Sequence, residues 1–311
     1  MQQWKADHRS RLDVFVAEAA GISRVRSGKL IREGCVLVHG RIIRTPAHIV
    51  LSGDDVSANA DLAPVTETHI ASVDGKVAVL YEDDACLVIC KPAGISVHPG
   101  NGMQKDDITL LNSIAYLFQK RGIPFSASTV LVHRLDKDTT GCLLIAKSPA
   151  AHLALQKQFK NRTVEKTYLA LVAGIPVLAE ATIDAPIGRH YTDRMKMAVL
   201  GAVRSRAAST TYHVLSRGVN AALLACDLHT GRTHQIRVHL ASIGHPVLGD
   251  SAYFSDASAA ISRELHIERI CLHAWKLKFR SPADEEEYLV EAPVSKTLNE
   301  AMKKAALSLK T

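Results

Sequence analysis

Apolar and polar positions along the chain fall into two regimes. In the first, LDVFVAEAA (Leu12 to Ala20) fills one side of a helix with apolar residues. ISRVRSGKLIREG then predicts a second helix, with Ser23 as its N-cap and Gly34 as its stop. CVLVHGRIIR continues as a strand, a turn at His39–Gly40 and another strand. The stretch Asp61 to Gly75, DLAPVTETHIASVDG, is poor in large apolar residues and reads as a linker. Beyond it, KVAVLYEDDACLVICKPAGISVHPG alternates strand-like runs with turn signals at Asp83-Asp84, Pro92, Gly94 and Pro99-Gly100. Further predicted strands are GCLLIAK, KTYLALVAG, STTYHVLS, AALLACDL and ICLHAWKLKF; predicted helices are ITLLNSIAYLFQKR, PAAHLALQKQFKNR and THQIRVHLASIG. The acidic cluster Glu285–Glu287 reads as a solvated turn.

Strands do not alternate regularly with helices, which argues against a doubly wound parallel sheet. The expected fold class is α+β, a mixed and mostly antiparallel sheet domain preceded by a small unit of two helices and a hairpin. The boundaries this suggests are a small domain at 1–60, a linker at 61–75, a large domain at 76–295 and a C-terminal tail at 296–311.

Composition narrows the class. With 47% hydrophobic and 22% charged residues among 311, the chain can bury a sizeable core. Aromatics are only 5%, so that core rests on Val, Leu, Ile and Ala. No run approaches the ~18 apolar residues of a membrane span, and the start MQQWKADHRS lacks the apolar segment of a signal peptide. A soluble, cytoplasmic, monomeric protein without membrane contact is expected. Cys35, Cys86, Cys90, Cys142, Cys226 and Cys271 form no CxxC pair, against a zinc ribbon, iron–sulfur site or disulfide framework.

The net charge of +7 is unevenly placed. Between Gly21 and Val50, Arg24, Arg26, Lys29, Arg32, Arg41 and Arg44 face the single acid Glu33. Arg26, Lys29 and Arg32 recur every third residue and fall along one flank of the second helix. Such a flank is either a platform for phosphates or a solvated helix face.

Two polar interruptions of apolar runs carry candidate chemistry. LVHRLDKDTTGCLLIAK sets His133, Arg134, Asp136, Lys137 and Asp138 in a loop between two apolar segments expected to be buried strands, closed by Gly141. A carboxylate there is partly desolvated and needs a cationic or hydrogen-bonding partner, for catalysis or for a structural salt bridge. In TGRTHQIRVHLASIGHPVLGD, a helix from His234 to Ile243 buries Ile236, Leu240 and Ile243 and turns Arg237 toward a cleft or toward solvent. His229, His234, His239 and His245 do not stack on one helix face, and neither HExxH nor a Cys partner accompanies them, so no metal site is expected.

Two resemblances follow from these residues. Arg11 to about Ala60 resembles the small alpha-L, or S-four-like, RNA-binding domain, through Arg11-Leu12-Asp13, the Ser23–Gly34 helix, and VLVHGRI closing near Gly53-Asp54-Asp55. KPAGISVHPG, HRLDKDTTG, EKTYLALVAG, GRTHQIRVH, GHPVLGD and CLHAW occur in the order found in RluA-type pseudouridine synthases, which the chain resembles from about Val77 to Pro293. Thr140 departs from that pattern, where Ser usually precedes the glycine.

The resemblance implies isomerisation of uridine to pseudouridine in structured RNA, ribosomal RNA of the large subunit in preference to transfer RNA. The base is detached from the ribose, rotated, and rejoined through carbon five, which demands no cofactor, and neither a Walker loop nor GxGxxG is present. The family's catalytic aspartate falls on Asp136, which either attacks the anomeric carbon or removes the neighbouring ribose proton. Arg237 matches the arginine that pairs with it, Tyr168 the tyrosine that packs on the target base, and Arg134 a residue that holds the helix open or contacts phosphate around a flipped uridine. Arg26, Lys29 and Arg32 are the expected RNA contacts of the small domain. A non-catalytic RNA-binding protein and a metal-dependent hydrolase built on Asp136 and Asp138 are the competing readings. A protein kinase is excluded, since HRLD comes without a glycine loop, its lysine or DFG.

Overall fold

The computed structural model describes residues 2–22, 24–59, 70–99, 107–193, 195–200 and 202–309. The proposed N-cap Ser23, most of the linker (61–69) and Gly100 lie outside them. The chain divides into two compact units, at 1–69 and 70–311.

In the first unit, β1 (Gln2–Lys5) and β2 (Ser10–Arg11) precede α1 (Leu12–Ala19) and α2 (Arg24–Glu33). Then follow β3 (Val36–Val38), β4 (Arg41–Ile42), β5 (Ile49–Val50) and β6 (Asp55–Ala58). Leu12, Phe15 and Val16 of α1 and Leu30 and Ile31 of α2 pack with Val36, Val38, Val50 and Val56 into a core of their own. Gly34 ends α2 at a φ of 80°, with its N–H donating to the Ile31 carbonyl and that of Cys35 to Leu30. This left-handed stop is the geometry glycine tolerates best. The strand β1, which the polar start of the chain does not betray, pairs antiparallel with β6.

The second unit begins with β7 (Ala78–Glu82), β8 (Cys86–Lys91) and α3 (Leu110–Arg121). Next come β9 (Thr140–Ala146), α4 (Pro149–Asn161), β10 (Glu165–Ala173) and β11 (Glu180–Asp184). A small antiparallel sheet of β12 (Ile187–His190), β13 (Met197–Ala198) and β14 (Ala202–Arg206) stands apart from the main one. The chain then runs through β15 (Ser209–Arg217), β16 (Ala221–Leu228), α5 (Gln235–Ser242) and α6 (Asp256–Glu264). It closes with β17 (Leu272–Arg280), β18 (Glu287–Glu291) and α7 (Lys296–Lys304).

The main sheet has the order β11-β15-β16-β10-β17-β9-β8-β7, with β18 paired to the far half of β17. Every pairing in it is antiparallel except β17 with β9, where His273 and Ala274 align with Thr140 and Gly141. The fold is α+β, as expected. Gly141 makes that crossing possible: its φ is 110°, and a Cβ there would stand 2.1 Å from the Ala274 carbonyl oxygen.

Three expectations need correction. The segment after 295 is not a tail: α7 places Leu298, Ala301 and Met302, with Leu307 after it, in the main core. The end of the stretch read as linker is docked, with Asn112 donating from Nδ2 to the Ala71 carbonyl and Val73 N–H donating to the Asn112 carbonyl. Ile243 does not join the buried stripe of α5. It caps the helix and is 39% exposed, while Val238 and His239 share the inward face with Ile236 and Leu240.

Candidate active site

The loop 131–139 is fixed from both ends before it presents any side chain. Leu131 makes a single bridge to Ile145 rather than the strand its apolar character suggests. Beyond it, His133 Nε2 accepts the Leu144 N–H at 2.9 Å, replacing a backbone acceptor. The His133 ring stacks on Phe159 with centroids 4.8 Å apart, and burial, helped by the charge of Lys166, holds its pKa down to about 3. With Nε2 taken up by the bond from Leu144, the ring holds the loop against β9.

From below, Lys91 pins the other half. It is fully buried, and its Nζ donates to the carbonyls of Pro92 (2.8 Å), Lys137 (2.7 Å) and Thr139 (3.0 Å). Burial brings its pKa down to about 8, against the pull of Asp138 and Asp136. Behind the loop, the Thr140 hydroxyl lies 2.7 Å from His273 Nδ1, so the threonine that departs from the resembled pattern still supplies a hydroxyl to the sheet. Leu135 turns into the core, and Asp136 is left facing a pocket of about 130 Å³.

Tyr168 forms part of that pocket's wall, as do Arg134 and Arg237. On β10, Tyr168 lies opposite Cys226 of β16 and Ala274 of β17, beside a register shift after Thr167. It is 7% exposed, and burial followed by the charge of Asp136 raises its phenol well above the ordinary tyrosine value. Its neutral ring offers a flat face to anything seated beside Asp136.

Arg237 reaches the pocket from α5, as the spacing allowed, and its Nη1 stands 3.3 Å from Asp136 Oδ2. Its closer contact is with Asp250. Nε and Nη2 donate to the two Asp250 oxygens at 2.7 and 2.8 Å, a fork-to-fork pair. The Asp250 side chain is 0% exposed against 24% for Asp136. Burial opposes its ionisation, yet the Arg237 fork and the N–H groups of Ala252 and Tyr253 prevail and hold the carboxyl below the ordinary range. The Arg237 guanidinium also lies 5.0 Å from the centre of the Tyr253 ring.

His234, in left-handed conformation at φ 56°, packs edge-on against the same ring. Its Nδ1 is 2.8 Å from the Tyr253 hydroxyl, which also accepts the Met197 N–H at 2.8 Å. The other ring nitrogen, Nε2, stands 3.9 Å from Asp136 Oδ2.

The four histidines weighed as ligands diverge. His229 meets Thr211, His239 is buried between Thr210 and the Ala185 carbonyl, and His245 bonds the Ala173 carbonyl. Among the described residues no three His, Cys, Asp or Glu side chains could share a metal ion. Asp138 lines the mouth of the site but not the inner pocket.

The structure thus brings Arg134, Asp136, Tyr168 and Arg237 to one pocket. Arg26, Lys29 and Arg32 lie together on α2 of the other unit, where Lys29 is 3.8 Å from Glu33. There, the Arg11-Leu12-Asp13 segment is an anchor, since the buried Asp13 carboxylate accepts both Arg11 and Arg24. Sequence reasoning missed Asp250, Lys91 and Tyr253. The available signals were a lysine ending the apolar run CLVICK, and an aspartate after Gly249 in a segment otherwise read only as a family mark.

Comparison with known proteins places the chain in a family. Residues 85–242 match the family described as RNA pseudouridylate synthase, and residues 10–56 the S4 domain. The chain belongs to the pseudouridine synthase family, with an S4 domain at its N-terminal side. It is similar to the ribosomal large subunit pseudouridine synthase D of Xanthomonas campestris, at 39% identity over 94% of this chain and 88% of that one. The enzyme of the same name from Zymomonas mobilis is 38% identical over 88% of this chain and 86% of its own. Among solved structures, human RNA pseudouridylate synthase domain containing 4 superposes with a TM-score of 0.61 at 25% identity, over 75% of this chain and 95% of that one.

Proposed function

We propose that the chain converts uridine to pseudouridine in large-subunit ribosomal RNA, in the cytoplasm, with Asp136 as the catalytic carboxylate and with no cofactor. The observation that carries the assignment is the Asp136–Arg237 contact at 3.3 Å across a pocket walled by Tyr168. The names of the relatives from Xanthomonas and Zymomonas support the choice of RNA.

The pocket is too small for a base still stacked in a helix, so the uridine enters flipped out. Asp136 then faces the ribose and either bonds to the anomeric carbon or takes the neighbouring ribose proton. Either route releases the base, and rejoining at carbon five requires loss of the proton held there. No atoms enter or leave overall, so the reaction balances without oxidant, nucleotide or metal. Tyr168 packs on the ring while it turns, and Arg134, at the rim, contacts the opened strand. Arg26, Lys29 and Arg32 hold phosphates through the S4 domain.

Asp136→Asn tests this. It keeps shape and removes charge, so conversion should fall by a factor of roughly a thousand or more, while affinity for RNA changes less than about threefold. Substantial turnover by the purified variant would refute the assignment. Sequencing of carbodiimide-treated RNA from a deletion strain identifies the uridine, and a lost mark in transfer RNA would overturn the ribosomal substrate.

A further inference from the structure

The pocket beside Asp136 opens on one side into a groove of opposite character to its other mouth. Toward Asp250 the rim mixes charges, with Asp138, Asp250 and Glu268 among Lys137, Arg189 and Arg269. Toward the end of α4 the groove is lined by Arg134, Lys160, Arg162, Lys166 and Arg232, together with His229, and no carboxylate lines it. Tyr168, Leu228 and Gly231 line both this groove and the inner pocket, so the two are continuous.

These cations are unspent. Among the described residues none of the five is held by an Asp or Glu side chain. Arg134 donates to His98 Nε2 at 3.4 Å, and Arg232 donates through Nε to the Ala207 carbonyl at 3.1 Å, which leaves its other nitrogens for a ligand. Lys166 is the telling member. Its Nζ stands over the Phe159 ring, 5.8 Å from the centre, and burial alone lowers its pKa with no acid opposing it. An ammonium kept partly from water without a counter-charge is a cost to the folded protein, and an anion seated in the groove removes it. Arg162 is the C-cap of α4 and itself takes a left-handed φ of 61°.

We propose that this groove holds consecutive phosphates of the RNA strand on one side of the target uridine, with Lys160, Arg162 and Lys166 as the principal contacts. The proposal rests on the synthase reading and extends it to the path of the substrate. Phosphates are the fitting occupant because the groove sets five cations side by side with no carboxylate among its lining residues. Its continuity with the pocket fixes which phosphates these are: those immediately beside the flipped nucleotide.

The test uses the full-length protein and labelled RNA hairpins containing a uridine that the wild type converts, trimmed by a few nucleotides on one flank or the other. Lys160→Ala/Arg162→Ala/Lys166→Ala is compared with a variant losing three exposed lysines of α7, Lys296→Ala/Lys303→Ala/Lys304→Ala. The groove variant should bind at least about tenfold more weakly, with a log–log salt slope shallower by about 2, at roughly 0.7 per single-strand phosphate lost. Its turnover at saturating RNA should stay within about threefold of wild type. Trimming one particular flank should weaken the wild type and leave the groove variant unaffected. Because a triple change can harm folding, the exposed Lys160→Glu alone is measured too, and it should weaken binding without lowering the melting temperature. Equal salt slopes in the groove and α7 variants, or equal sensitivity of wild type and groove variant to trimming, would overturn the proposal. If the wild type instead converts no uridine in any RNA while binding normally, the synthase reading itself has failed.

Discussion

Arg237 gives the two-pronged edge of its guanidinium to Asp250 and a single remaining nitrogen to Asp136. The buried carboxylate of Asp250 therefore orients the arginine, and the half-buried one of Asp136 receives it. A cation shared in this way arrives pre-aimed, because its plane is fixed before any RNA binds. Arg237 and His234 both approach Asp136 at its Oδ2.

That arrangement predicts unequal costs. Asp250→Asn leaves a buried guanidinium short of its counter-charge and should destabilise the protein by about 3 kcal/mol. Turnover should fall with it as Arg237 loses its aim. Arg237→Lys should impair turnover severely, since a point ammonium cannot hold both Asp250 oxygens and still reach Asp136. Urea unfolding alongside single-turnover conversion measures both, and near-normal rates in either variant would refute the shared-cation arrangement.

Lys91→Met should act on the loop and not on the substrate. Removing the ammonium strands the carbonyls of Pro92, Lys137 and Thr139 in a buried site, at about 1–3 kcal/mol for each left without a donor. We expect a melting temperature lower by several degrees and a fall in kcat at nearly unchanged KM. Unchanged melting would mean that the three carbonyls find other donors.

His133 makes stability depend on pH in a defined direction. Its folded value of about 3 lies below the ordinary 6.5, so between these values the unfolded chain binds a proton that the native chain refuses. Stability is therefore highest above about 6.5 and is lost as pH falls toward 3. In His133→Asn, whose amide oxygen can still accept the Leu144 N–H, unfolding between pH 6.5 and 4 should take up about one proton fewer. An identical pH slope in the two proteins would show that the ring already protonates in the fold.

Changing Arg26, Lys29 and Arg32 to Ala should raise KM for long structured RNA and flatten the salt dependence of binding by up to about 0.9 per duplex phosphate lost. Turnover at saturation should hold, because Asp136, Tyr168 and Arg237 are untouched. Unchanged affinity and slope would make the flank a solvated helix face. Collapsed turnover at saturation would mean that the S4 domain helps assemble the active complex.

The periodic parts of this architecture were legible in the residues. AALLACDL is β16 end to end, and PAAHLALQKQFKNR holds α4, because apolar spacing, a Ser-Pro start and a hairpin register are local properties. What escaped was decided at a distance. The polar strand β1 exists only because β6 offers it an edge, and α7 is ordered by a core assembled from residues far upstream. Asp136 and Arg237 could be singled out as polar interruptions of apolar runs. Nothing local said that Arg237 would spend its fork on Asp250, or that Lys91 would reach across 46 positions to hold the Lys137 carbonyl.

The place of β17 in the sheet has a consequence for how the molecule is made. This strand lies between β10, which carries Tyr168, and β9, which begins where the Asp136 loop ends. Yet it spans residues 272–280, so a ribosome completes it long after both neighbours have emerged. Until then the two halves of the pocket have no common strand to register against, and Asp136 and Tyr168 belong to separate pieces of sheet. The nascent chain therefore acquires the strand that joins the two halves of its pocket only after both flanking strands have been made.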